Sequence, residues 1–87
     1  MKPINLLWGF IGVTLVLDRK GRVAADPALH MEGIPEAVRE SVAEAVSKAL
    51  NGKRGDDLKE HVRIAARRAA KDVWGKKPVV RVETVEI

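Results

Sequence analysis

The chain's two histidines are the first residues to weigh, because imidazole is the side chain best placed to move protons at neutral pH and is also the commonest metal ligand. His30 lies between Leu29 and Met31 with Glu32 two residues along, and His61 falls in the middle of a helical pattern. Neither has a second imidazole at ligand spacing, and the sequence has no cysteine to add a thiolate. A zinc or two-metal site built on this chain alone is therefore not expected, and exposed or boundary histidines account for both. Nucleophile chemistry fares no better. Ser41 and Ser47 fall on a helix facing away from its apolar stripe, not on a strand-to-helix elbow. Glu36/Glu40 and Glu40/Glu44 stand at helical spacing on a solvated face, where no pocket would tune them as acid and base. The expectation is a domain with no catalytic residue, no metal ligand and no cofactor of its own.

Binding chemistry is better represented. Ten basic residues and four acids lie between Lys53 and Arg81. Within that stretch Lys59, Arg63, Arg67 and Lys71 recur every four residues, a slanting stripe that reads as lying opposite the apolar face of a helix. A helix buried on one side must present polar residues on the other, so a solvated face is the plainer account. As phosphate contacts the four would give weak, non-specific RNA binding through charge alone. Ile64 lies outside the apolar arc and is expected on the surface. A second candidate is Gly52-Lys53-Arg54-Gly55 between two helices. It resembles the GxxG loop with which KH domains hold a nucleic-acid backbone, and would make Lys53 and Arg54 phosphate contacts. Asp56 and Asp57 stand at the helix N-terminus where such a phosphate would sit, and their charges repel it. A short helix–helix turn is the simpler reading.

The elements that must position these residues follow from periodicity. Ile11, Val13, Leu15 and Leu17 share one face of a strand. Asp18-Arg19-Lys20-Gly21 reads as a hairpin loop with glycine at a left-handed position. A second strand is expected from about Arg22 to Glu32, interrupted at Asp26-Pro27. Proline cannot donate to a ladder, so this strand belongs at an edge. Pro35 and Glu36 open a helix whose apolar positions are Val38, Val42, Ala45, Val46 and Ala49. Asp56 caps a second helix with Leu58, Val62, Ala65, Ala66, Ala69 and Val73 inward, and Gly75 to Pro78 stops it. Val79–Ile87 forms the last strand, with Val80 and Val82 inward. The fold class expected is α+β, in the order ββααβ. A three-stranded mixed sheet ordered 2-1-3 would be covered on one face by two antiparallel helices.

A chain of 87 residues with a net charge of +4 is one domain with a thin core. Its aromatic residues are Trp8, Phe10 and Trp74, so that core must be aliphatic. The absence of cysteine fits a reducing cytoplasm. The apolar run Ile4–Leu17 after Lys2 looks like a signal peptide at first sight. It is too short to span a bilayer, lacks a cleavage site, and alternates like a strand in its second half. No membrane partner is expected.

If helices cover one face of the sheet, the other must meet water or a partner. That face carries Phe10, Gly12, Thr14 and Val16 from the first strand, with Arg81 and Glu83 from the third. In the third strand Val85 and Ile87 fall on the wet side, through either a bulge or a partner contact. A contiguous apolar patch on a small domain marks an interface. Phe10, Val16, Val85 and Ile87 are thus the candidate self-association residues, and a homodimer is expected.

Two stretches carry a family likeness. One is Leu17-Asp18-Arg19-Lys20-Gly21-Arg22-Val23-Ala24-Ala25-Asp26-Pro27, leading to Glu32-Gly33-Ile34-Pro35-Glu36. The other is Ala65-Ala66-Arg67-Arg68-Ala69-Ala70, running to Trp74-Gly75-Lys76-Lys77-Pro78-Val79-Val80-Arg81-Val82. Both resemble the C-terminal domain of bacterial ribonuclease J proteins, the alphaproteobacterial type in particular, over residues 9–87. Met1–Trp8 match nothing in that pattern and read as an N-terminal arm. An initiating methionine at the head of what resembles a C-terminal piece points to an excised fragment or a split gene. The resemblance implies RNA processing and decay by a metallo-β-lactamase/β-CASP nuclease, with zinc held in upstream catalytic domains. No residue here matches those metal motifs. For this domain it implies an accessory role, through oligomer contacts or contacts with the rest of the ribonuclease J chain.

Overall fold

The computed structural model describes residues 9–51 and 56–87, Asp56 by its backbone alone. β1 (Phe10–Leu17), β2 (Ala28–Glu32), α1 (Glu36–Ala49), α2 (Asp56–Trp74) and β3 (Val79–Glu86) follow in that order. The sheet is ordered β2-β1-β3. β1 pairs antiparallel with β2, from Phe10 opposite Glu32 to Thr14 opposite Ala28. It pairs parallel with β3, from Phe10 opposite Val79 to Leu17 opposite Glu86, without a break in register. Fold class, element order and strand order are those the periodicity indicates.

β1 forms because β-branched and leucine side chains alternate across it, and as the central strand it is also the most deeply covered. Ile11, Val13 and Leu15 are fully buried and share one core with Val38, Val42, Val46 and Ala49 of α1, Leu58, Val62, Ala66 and Ala70 of α2, and Val82 of β3. Ile34, between β2 and α1, closes one end of that core. At about 1.5–3 kcal/mol for each buried aliphatic side chain, these residues supply the main driving force for folding.

β2 is shorter than expected. Residues after the turn do not pair continuously; Val23 makes one isolated bridge to Leu17, and the ladder resumes at Ala28 after Pro27. Pairing survives the turn itself, since Asp18 donates to the Arg22 carbonyl and Ala24 to the Val16 carbonyl, and it lapses at 25–27, where Pro27 has no amide to donate. The turn is closed by the Asp18 carboxylate, whose Oδ1 accepts from the backbone amides of Lys20 at 2.8 Å and Arg22 at 2.9 Å, and by Gly21 at φ +80°.

α1 begins after Pro35, whose carbonyl accepts from Val38 and Arg39. No side chain caps it. Instead Arg39 reaches back, its Nε donating to the Ile34 carbonyl at 3.1 Å, which ties the helix to the segment leaving β2. α2 ends as glycine and proline dictate: Gly75, at φ +81°, donates to the Lys71 carbonyl, and Pro78 is buried where β3 starts.

Candidate interaction surfaces

α2 is best understood as four rows at four-residue spacing, each about 100° from the next. Leu58, Val62, Ala66 and Ala70 are buried, and Trp74 completes their row, packed on the core. This corrects the expected stripe: Val73 is 50% exposed and Ala70 takes the inward place. The buried row runs strictly along the four-residue ridge, which is inclined to the helix axis, whereas a stripe mixing three- and four-residue steps would run straight.

The basic stripe Lys59, Arg63, Arg67 and Lys71 is the next row round, one residue on from each buried position. It therefore flanks the core contact and does not lie opposite it. Arg63 is half-buried and committed: its Nε donates to Glu60 Oε1 at 3.2 Å and its Nη2 contacts Glu60 Oε2. That hydrogen-bonded pair holds the Glu60 carboxyl below its usual range and raises the Arg63 guanidinium. Arg67 and Lys71 belong to a different group. Together with Arg68, Lys77 and Ile64 they line a shallow concavity of about 250 Å³. Ile64 is 45% exposed, as its place outside the apolar arc indicated. Arg68 and Lys77 were not singled out from the sequence. Arg68 lies on the row opposite the core, and Lys77 enters only because the chain turns back at Gly75. Lys53 and Arg54, the GxxG candidates, lie outside the described residues.

The uncovered face of the sheet is divided. At one end the Phe10 ring lies over Gly12, where an added Cβ would come within 3.1 Å of it, and stands 6.3 Å from the His30 ring. His30 Nε2 in turn meets Glu32 Oε2 at 2.7 Å. Arg81 and Glu83 cross the middle, beside a cavity of about 240 Å³ reaching Phe10, Gly12 and Thr14. At the far end Val16 and Val85 are register neighbours. Val85 is 48% and Ile87 69% exposed. The unbroken register shows that no bulge turns these two residues outward; strand parity alone does. The four candidate self-association residues thus separate into Phe10 at one end and Val16, Val85 and Ile87 at the other. Six residues along an extended strand set Phe10 about 20 Å from Val16.

The outer edge of β3 is a further feature. Val79 and Ile87 donate their amides to Gly9 and Leu17 on the β1 side. Backbone groups alternate sides along a strand, so the amides of Val80, Val82, Thr84 and Glu86 point to the outer edge, which pairs with no strand among the described residues. No proline interrupts those eight residues.

Among the described residues no group of three or more histidine, cysteine, aspartate or glutamate side chains could hold a metal ion. His61 is exposed on α2, and His30 lies against Glu32. No described helix is long and apolar enough to cross a membrane.

Residues 7–87 match the family described as the ribonuclease J C-terminal domain. A ribonuclease J of Sinorhizobium meliloti (strain Sm2011 / Rm2011 / 2011) is 37% identical over 86 residues, spanning 85% of this chain and 15% of that protein. A match that spans every described residue settles the family: the chain belongs to the ribonuclease J C-terminal domains.

Proposed function

We propose that this domain is a non-catalytic accessory module of a ribonuclease J, and that it serves RNA processing by joining two copies of the enzyme through its sheet. The single observation that carries the reading is the conjunction at β3: a proline-free edge with no strand partner among the described residues, beside the exposed Val85 and Ile87.

Size decides how the contact is built. Three strands of up to eight residues present a flat footprint of only about 350 Å². A stable interface removes about 800 Å² from each partner. The outer face alone falls short, so the contact includes the outer edge of β3, where strand pairing extends the sheet from one copy into the next. Apolar closure then comes from Val16, Val85 and Ile87, at about 25 cal/mol per Å² removed from water.

Sedimentation equilibrium of the wild type beside Val85→Lys tests this. The expected result is a dimer for the wild type and a monomer for the variant, with unchanged circular dichroism. A wild type that stays monomeric at high concentration, or dimers indifferent to the lysine, would rule the sheet interface out.

A further inference from the structure

The concavity on α2 is separate from the sheet and from the self-association reading. Arg67, Arg68, Lys71 and Lys77 surround Ile64 there, and none of the four makes an ion pair with an acid among the described residues. Arg63, one turn away, shows what an acid within reach would do, since Glu60 has taken it. Four unsatisfied cations within one small concavity repel one another, an arrangement relieved by an anion of several charges.

The chemistry of the lining narrows the ligand. Its side chains offer only donors: guanidinium and ammonium groups accept nothing. A peptide brings an N–H at almost every residue and would find no acceptor among these side chains. A phosphodiester backbone presents acceptors alone, and Arg is the residue suited to phosphate oxygens. The concavity has no aromatic platform on which a base could stack, and Ile64 offers only an apolar seat. We infer that Arg67, Arg68, Lys71 and Lys77 form a sequence-independent binding site for the sugar–phosphate backbone of RNA. Of the basic stripe, Arg67 and Lys71 belong to this site, while Arg63 is spent on Glu60.

The experiment measures fluorescence anisotropy of a labelled twenty-nucleotide oligouridylate with the 87-residue chain across a salt series. Each phosphate neutralised on a single strand contributes about −0.7 to the slope of log affinity against log salt. Four contacts therefore predict a slope of about −2.8, and Arg67→Gln with Lys71→Gln should reduce its size by about 1.4. Arg68→Gln with Lys77→Gln should do the same. Arg19→Gln with Lys20→Gln removes equal charge from the hairpin loop and should leave the slope unchanged. All these positions are exposed, and circular dichroism checks that each variant folds. An equal loss in the hairpin variant would reduce the effect to net charge and overturn the site. So would tighter binding of a poly-glutamate peptide than of the RNA at matched salt, or no RNA binding at low salt.

Discussion

Gly9 stands directly against Ile34: a Cβ on Gly9 would lie 2.6 Å from Ile34 Cδ1, and 3.0 Å from the carbonyl oxygens of Glu32 and Gly33. Gly9 is also held at φ +80°, so two separate penalties meet at the start of β1. Gly75 has nearly the same backbone, φ +81°, with nothing within 4 Å of its missing side chain. Gly75→Ala should cost about 1 kcal/mol, the left-handed backbone penalty alone. Gly9→Ala should cost about 2–4 kcal/mol, because packing strain adds to it. Urea denaturation of the two variants measures the difference, and equal midpoints would refute the close approach.

Leu58 and Val73 test the geometry of α2. Leu58 is fully buried, so Leu58→Ala should destabilise by about 2–5 kcal/mol, enough to unfold much of a domain this small. Val73→Ala should change stability by no more than about 0.5 kcal/mol, being half in solvent. Thermal melts that ranked Val73 as the costlier position would place it back in the core.

Asp18 gives the hairpin a dependence on acid. The Arg22 backbone amide foremost, and the Lys20 amide and Arg22 guanidinium after it, hold its carboxyl below the usual value of 3.8. A depressed folded pKa means the stabilisation is present above the unfolded value and disappears as pH falls through the folded one. The melting temperature of the wild type should therefore fall more steeply below about pH 4 than that of Asp18→Asn. Parallel curves from pH 7 to pH 2.5 would show that the turn carries no such linkage.

Thr84→Pro separates edge pairing from face packing. The Thr84 amide points away from β1, so proline there removes a group that only an added strand would use. The fold should survive and the dimer dissociate, read again by sedimentation. A dimer that tolerates the proline would assign the contact to the Val16, Val85 and Ile87 face without the edge.

What the residues disclose beforehand follows the simplicity of the pattern. The burial of Ile11, Val13 and Leu15 is plain because a strand repeats every second residue, and Pro27 correctly marks an edge. Val38, Val42 and Val46 are plain for the same reason on α1. The inward place of Ala70 is not, since alanines at Ala65, Ala66, Ala69 and Ala70 make both ridges look alike, and only packing chooses between them. The start of β2 at Ala28 is legible in Pro27, which breaks the expected strand just before it. The basic concavity could not be read from spacing. Glu60 removes Arg63 from a uniform stripe, and the reversal at Gly75 brings Lys77 to residues far from it in sequence.

The parallel pairing of β1 with β3 also sets the order in which the domain can be assembled. Each strand finds its partner only after the two helices between them have been made, so the central ladder is built from contacts distant in sequence, a slow class of folding event. On a ribosome β3 emerges after every other described element. Until it does, β1, the most apolar strand, lacks a neighbour on one side and offers an open edge to any passing strand. Deleting Val79–Glu86 would make that transient state permanent, and a chain so shortened should aggregate during synthesis rather than fold into a weaker version of the same domain.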